Sequence, residues 1–311
     1  MKRSLTLATL LTFLLYPSSF ILAQGSLTPP GAPAPTMKTL DQVEPRTPIS
    51  SVPFTINTAG SYYLTGNLSV TTGNAILISV DDVTLDLNGF TISSTAATAS
   101  GTAISIPSGA KDNVTIRNGH IRGTTTFSGG TFTTGGFQHG VRAVTASANI
   151  RVTDLRIFGM ALSGINLPVG PRTYVVDRCL VEVCGTDGII ASQVLDSTAQ
   201  TCGGTASLAA VVRDSIGESV RTLASNEGIS AETVINSTGI SSVGRGILCS
   251  TATHSEGTSV TGGAGLIATG TASFCRGKRD GGTALSAGIA IGCTVDGTGT
   301  VNSAQKHLGT P

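Results

Sequence analysis

The sequence predicts an all-β chain wound as a single right-handed parallel β-helix, a solenoid of about ten coils behind an N-terminal cap. Three observations predict it. Two short marks recur in step about every 20 residues. The segments between them read as short alternating strands. Helical periodicity is nearly absent.

The first mark is an apolar residue, any residue, then Asp or Asn, ending at Asn118, Asp154, Asp177, Asp196, Asp214 and Asn236. Its successive spacings are 36, 23, 19, 18 and 22 residues. The second mark is Gly followed by an aliphatic: Gly164-Ile165, Gly188-Ile189, Gly228-Ile229, Gly246-Ile247, Gly265-Leu266 and Gly288-Ile289, with Ser207-Leu208 standing in once. Each mark has a physical reading. Asp or Asn at a corner tolerates a left-handed backbone and bonds nearby N–H groups. Gly at a second corner supplies positive φ without a Cβ penalty. Between the corners, Val83-Thr84-Leu85-Asp86-Leu87 sets three aliphatics on one face. Repeats this short leave no room for a crossover helix, so each strand must pair in parallel with its counterpart one coil away.

The elements follow in order. Residues 1–23 read as a cleaved signal peptide: Lys2 and Arg3 precede an apolar run from Leu5 to Leu15, and Ala23 supplies the small residue at the cleavage site. Secretion or display at the cell surface is the expected outcome, with no membrane span after cleavage. Residues 24–50 are a Pro-rich linker, and 51–72 an N-terminal cap covering the unpaired edge of the solenoid. Residues 73–302 are the β-helix and 303–311 a short polar tail. That tail offers no trimerisation segment, and the oligomeric state is left open.

Composition excludes some function classes. Of 311 residues only 12% are charged and the net charge is +1, which argues against a nucleic-acid partner. The chain is too apolar to be disordered. Aromatics are 4% and Trp is absent, as suits a core of small and β-branched side chains.

The stacked marks, with VTLDLNGFTI at 83–92 and VTIRNGHIRG at 114–123, resemble right-handed β-helix repeat proteins of the pectin-lyase-like superfamily. Residues 25–50 resemble the leader of bacterial exported β-helix proteins of unknown function. The resemblance covers about residues 51–302. It implies the fold and a carbohydrate partner, a polysaccharide or cell-surface glycan. It leaves activity open, because the superfamily holds lyases, hydrolases, esterases, adhesins and non-catalytic members.

Candidate chemistry is sparse. Asp154, Asp177, Asp196 and Asp214 occupy consecutive ladder positions, where stacked carboxylates about 5 Å apart would repel unless backbone N–H groups, nearby Arg156, Arg178 or Arg213, solvent or a cation relieved them. They would suit Ca2+, the one cofactor the sequence suggests. The alternative is a turn-capping ladder without catalysis, which Asn118 and Asn236 favour. Gly185-Thr186-Asp187-Gly188 resembles one element of polygalacturonase-like hydrolases, but the family's later elements are missing, so Asp187 stands alone. Asp177, Asp187 and Arg178 are the catalytic candidates, with Arg213 a conceivable lyase base. The insertion at 123–140 carries Phe127, Phe132, Phe137 and His139, which on an exposed loop would stack on sugar rings; the alternative is a loop that packs its phenylalanines onto the β-helix. His120 and His139 could serve as acids or bases; the plainer alternative is surface or loop histidines. Cys184 and Cys202, 18 residues apart in matching contexts, would stack within disulfide range. Two readings remain: a non-catalytic polysaccharide-binding, structural or adhesive module, and a polysaccharide lyase or glycoside hydrolase.

Overall fold

The computed structural model describes residues 45–109, 111–144, 147–169, 173–220 and 226–306. The expected signal peptide, most of the expected linker and residues 307–311 of the tail lie outside them. Among the described residues every regular element is a strand, and no helix is long and apolar enough to cross a membrane.

Each turn of the chain lays down three strands, and each pairs in parallel with its counterpart one turn on. Three long sheets result. Sheet 1 begins at Phe54–Ile56 and Ile76–Ile78, sheet 2 at Thr47–Ile49 and Gly60–Leu64, and sheet 3 at Leu68–Val70 and Thr91–Ser94. Strands such as Val114–Arg122 and Ile150–Met160 run from sheet 2 straight into sheet 3. The solenoid has about 11 turns. Register partners are 18 residues apart in the tightest turns, as for Ile189 with Ser207 and Ile229 with Ile247. They are 37 apart from Ile104 to Val141, where the insertion lies.

The N-terminal boundaries need correction. Thr47–Ile49, expected as linker, already pairs with Tyr62–Leu64. The strands at 54–56, 60–64 and 68–70, expected as a cap, stack in the same three sheets as everything after them. Their alternation of Ile56, Tyr62, Leu64 and Leu68 inward is that of the solenoid itself.

The Asp/Asn corner is as expected. At the bend from sheet 2 to sheet 3, Asn88, Asn118, Asp154, Asp196, Asp214 and Asn236 all have positive φ. The same position passes to Arg178, His254, Phe274 and Gly292 in other turns. Asp177 is therefore out of the ladder: it pairs with Thr153 and Leu195, one residue before the bend.

The Gly corner needs a different reason from the one expected. Gly188 and Gly228 are not in the left-handed region. A Cβ on Gly188 would lie 2.6 Å from the Ala206 carbonyl, and one on Gly228 would lie 2.3 Å from the Ile240 nitrogen. Glycine stands there because neighbouring backbones approach too closely for a side chain. Gly288-Ile289 is out of register, since Leu285 partners Leu266 and Ile289 partners Thr271.

Inside, Ile, Val, Leu, Ala and Cys fill the core. One column of it is polar. The residue after the left-handed position is Cys179, Ser197, Ser215, Ser237, Ser255, Cys275 and Cys293 in successive turns. Each of these Ser hydroxyls donates to the carbonyl two residues back, at 2.6–2.8 Å. Each also accepts the backbone N–H of the preceding turn, at 3.1–3.3 Å. The buried corner N–H groups of Cys179, Ser197, Ser215 and Ser237 are thereby satisfied.

Candidate functional site on sheet 3

Strand alternation points every second residue of sheet 3 outward. Register then aligns two outward columns. One holds Thr91, His120, Arg156, Leu180 and Thr198; the other holds Ser93, Arg122, Phe158, Glu182 and Gln200. Two depressions lie on this face and share Arg156. The larger, about 460 Å³, is lined by Asp154, Leu155, Arg156, Arg178, Leu180, Asp196 and Thr198 among others. The smaller, about 160 Å³, is lined by His120, Arg122, Arg156, Phe158 and Glu182 among others.

The charges in this face differ in availability. Arg178 is engaged: its Nε and a terminal nitrogen hold both oxygens of Asp154 at 2.8 and 2.9 Å, and the other terminal nitrogen holds Asp177 at 2.7 Å. Hydrogen bonding to Arg178 holds the Asp154 carboxyl below its usual range, and the same bonds push the guanidinium up. Arg151 also reaches Asp177, at 2.7 Å. In the same column Asp86 is likewise buried and held by Arg46 and Arg117. Arg122 and Arg156 are exposed, and among the described residues no carboxylate lies within ion-pair distance of either. Arg122 instead lies 5.6 Å from the ring centre of Phe158, which is 38% exposed. Glu182 accepts from the Gln200 amide at 2.6 Å. His120 Nδ1 sits 3.2 Å from the Gly89 carbonyl.

The other expected residues fare unevenly. Asp177 and Arg178 come together, but as an ion pair whose carboxylate is buried. Asp187 is apart from them, at the corner leading into sheet 1, where it accepts the Thr205 N–H at 2.9 Å. Burial raises its pKa. It does the work of a turn cap. Of the supposed metal ladder, Asp154 is taken by Arg178, Asp177 is buried beneath Arg151 and Arg178, and Asp214 accepts from Asn236 at 2.6 Å. Among the described residues no group of three or more His, Cys, Asp or Glu gathers as metal ligands would. The repulsion expected within that ladder is relieved by Arg178, which stands between Asp154 and Asp196.

The aromatic loop is corrected in part. Phe137 and His139 belong to the interior, at 0% and 6% exposure, because the chain has already re-entered sheet 1 there. Phe127 and Phe132 sit opposite each other on a small antiparallel hairpin, ring centres 4.6 Å apart. Phe132 packs over Gly203, three turns further along the solenoid. Cys184 and Cys202 are register partners as expected, with both side chains buried as thiols.

Sequence reasoning passed over Arg122, Phe158 and Glu182, and took Arg156 only as a possible partner for the Asp ladder. The signal was available. Laying VTIRNGHIRG (114–123) over IRVTDLRIFG (150–159) aligns His120 with Arg156 and Arg122 with Phe158, the pairing the structure has.

No family model matches the sequence, and no curated protein matches it. Among solved structures the fold is similar to the A-module of a mannuronan C-5 epimerase from Azotobacter vinelandii. The likeness covers 81% of this chain and 88% of that one, with a TM-score of 0.56 and 12% sequence identity. At that identity it speaks to architecture alone: the chain has the right-handed parallel β-helix fold.

Proposed function

We propose that this protein binds an acidic polysaccharide along the outer face of sheet 3. The observation that carries the reading is the pair Arg122 and Arg156, cations with no carboxylate partner among the described residues, flanking the exposed ring of Phe158. Unpaired guanidiniums suit carboxylates, and an exposed ring suits the apolar face of a sugar. The surface repeats every 4.8 Å or so along the axis, which suits a polymer more than a monomer. The epimerase of like fold is named for a uronate polymer, which supports the same ligand class. Export follows from reading residues 1–23 as a signal peptide, and N-terminal sequencing of the secreted form tests it. Gel-retardation or calorimetric titration with polygalacturonate, alginate and neutral dextran tests the binding. Retention by the uronates and not by dextran is expected; equal behaviour on all three overturns the proposal.

His120 favours a second reading, in which the same face also acts on the uronate. The Gly89 carbonyl only accepts, so Nδ1 carries a proton and, in the neutral ring, the lone pair is on Nε2. That nitrogen could take the proton beside a uronate carboxylate whose charge Arg156 neutralises. The C–H electron pair would pass into the carboxylate as an enediolate. Reprotonation gives epimerisation; loss of the neighbouring glycosidic oxygen gives cleavage. Hydrolysis fits less well, since Glu182 is the one carboxylate lining the smaller depression, and hydrolysis ordinarily needs two. Solvent deuterium entering the polymer, or an unsaturated product, with both abolished in His120→Gln, is the expected result. Neither signal from the wild-type chain would sink this reading while leaving binding intact.

A further inference from the structure

All six cysteines are buried thiols, but they are not distributed alike. Cys179 is followed in its column by Ser197, and Cys249 pairs with Ala268. Two pairs stack on themselves. Cys184 and Cys202 are register partners. Cys275 and Cys293 are bracketed by the register pairs Ser273–Ile291 and Arg276–Thr294, so they too face each other across adjacent turns. We propose that Cys275 and Cys293 form a second oxidisable site, whose disulfide clamps the C-terminal turns of the solenoid.

The geometry supports it in three ways. Neighbouring parallel strands bring Cα atoms to about 4.8 Å, within the disulfide range of about 4.4–6.8 Å. Both side chains point into the same interior column, and their sulfurs are within hydrogen-bonding reach of each other. Each thiol also lies within reach of buried carbonyls, Cys275 of Ser273 and Cys293 of Ala272 and Ile291, so both sulfurs are held in the same small space. Location supplies the rationale. Thr294–Asp296 is the last described strand of sheet 3 and pairs on one side only, with Arg276–Lys278. Solenoid ends open first, because each turn is held only by its neighbours. That opening would also admit the oxidant.

The reaction is thiol–disulfide exchange with a small-molecule disulfide. Whichever thiol loses its proton first attacks the oxidant and releases one thiol; its partner then loses its proton and displaces the second. The protein gives up two hydrogens, and one disulfide becomes two thiols. The full chain, purified reduced, is exposed to oxidised glutathione, alkylated and mapped by mass spectrometry without reduction. A Cys275–Cys293 linked peptide lighter by two hydrogens is expected, with Cys179 and Cys249 still alkylated and the Tm raised. The double variant Cys275→Ser, Cys293→Ser should fold, because serine already fills this column at Ser255. It should lose this link and the Tm rise it brings, but no other link. Six alkylated thiols, separate glutathione adducts on Cys275 and Cys293, or a Tm that falls on oxidation would each overturn the proposal.

Discussion

Arg178 reaches back one turn of the solenoid to Asp154, Nε to Oδ1 at 2.8 Å, from a residue whose own φ is +50°. One side chain thus holds a left-handed corner, an exposed carboxylate and, through Asp177, a buried one. These roles separate by mutation. Arg178→Asn keeps a residue that tolerates the left-handed bend and removes the charge, while Asp177 retains Arg151. That variant should fold with a modest loss. Adding Arg151→Ala leaves Asp177 buried without a cation, which costs about 3 kcal/mol more. Urea denaturation of the single and double variants should show a loss well beyond additivity; simple additivity would mean Asp177 finds another partner.

The interior Ser column makes a second prediction. Ser215 donates to the Arg213 carbonyl and accepts the Ser197 N–H. Ser215→Ala strands both groups in the core and should cost about 1–3 kcal/mol. Ser215→Cys should cost less, because Cys179 and Cys275 occupy the same column and their thiols bond the equivalent carbonyls. Reversal of that order in denaturant midpoints would show that volume, not hydrogen bonding, governs the column.

His139 predicts a pH dependence. Burial, aided by nearby Arg142, lowers its pKa from 6.5 to about 4, and its Nδ1 has no hydrogen-bond partner among the described residues. Between those values the unfolded chain binds the proton and the folded chain does not. Stability is therefore fully present above about pH 6.5 and is lost as pH falls toward 4, by an amount on the order of 3 kcal/mol from this group. His139→Gln should flatten that part of the profile in denaturation at pH 7.5 and 4.5. An unchanged slope would place the acid sensitivity elsewhere.

How much was legible beforehand follows from what each signal rests on. Left-handed corners demand Asn, Asp or Gly, so Asn118, Asp154, Asp196, Asp214 and Asn236 announced the coil period by residue type alone. Arg178 broke the pattern because tertiary bonding to Asp154 and Asp177 compensates an unfavourable φ, and a reading tied to Asp shifted by one residue there. The Gly corner was read correctly in place except at Gly288, and wrongly in cause, since close backbone approach leaves no trace distinct from positive φ. The loop aromatics misled for a similar reason: Phe127 and Phe137 look alike in sequence, and only the end of the insertion decides which is core. The face carrying Arg122 and Arg156 was hidden because outward residues obey no packing rule. Only the register between turns brings them together.

That face yields the last prediction. Arg156 and Phe158 sit on one strand, two residues apart, and should contribute to polyuronate binding by different physics. Arg156→Gln removes a Coulombic contact, so affinity should fall at low salt and its dependence on ionic strength should flatten, because there is less attraction left to screen. Phe158→Ala removes stacking and the surface that Arg122 lies against, so affinity should fall by a similar factor at every salt concentration while the slope stays near that of the wild type. Titration of each variant with one uronate polymer across a range of ionic strengths separates the two. Identical slopes in Arg156→Gln and Phe158→Ala would mean that the polymer does not lie along this strand, whatever its overall affinity for the protein.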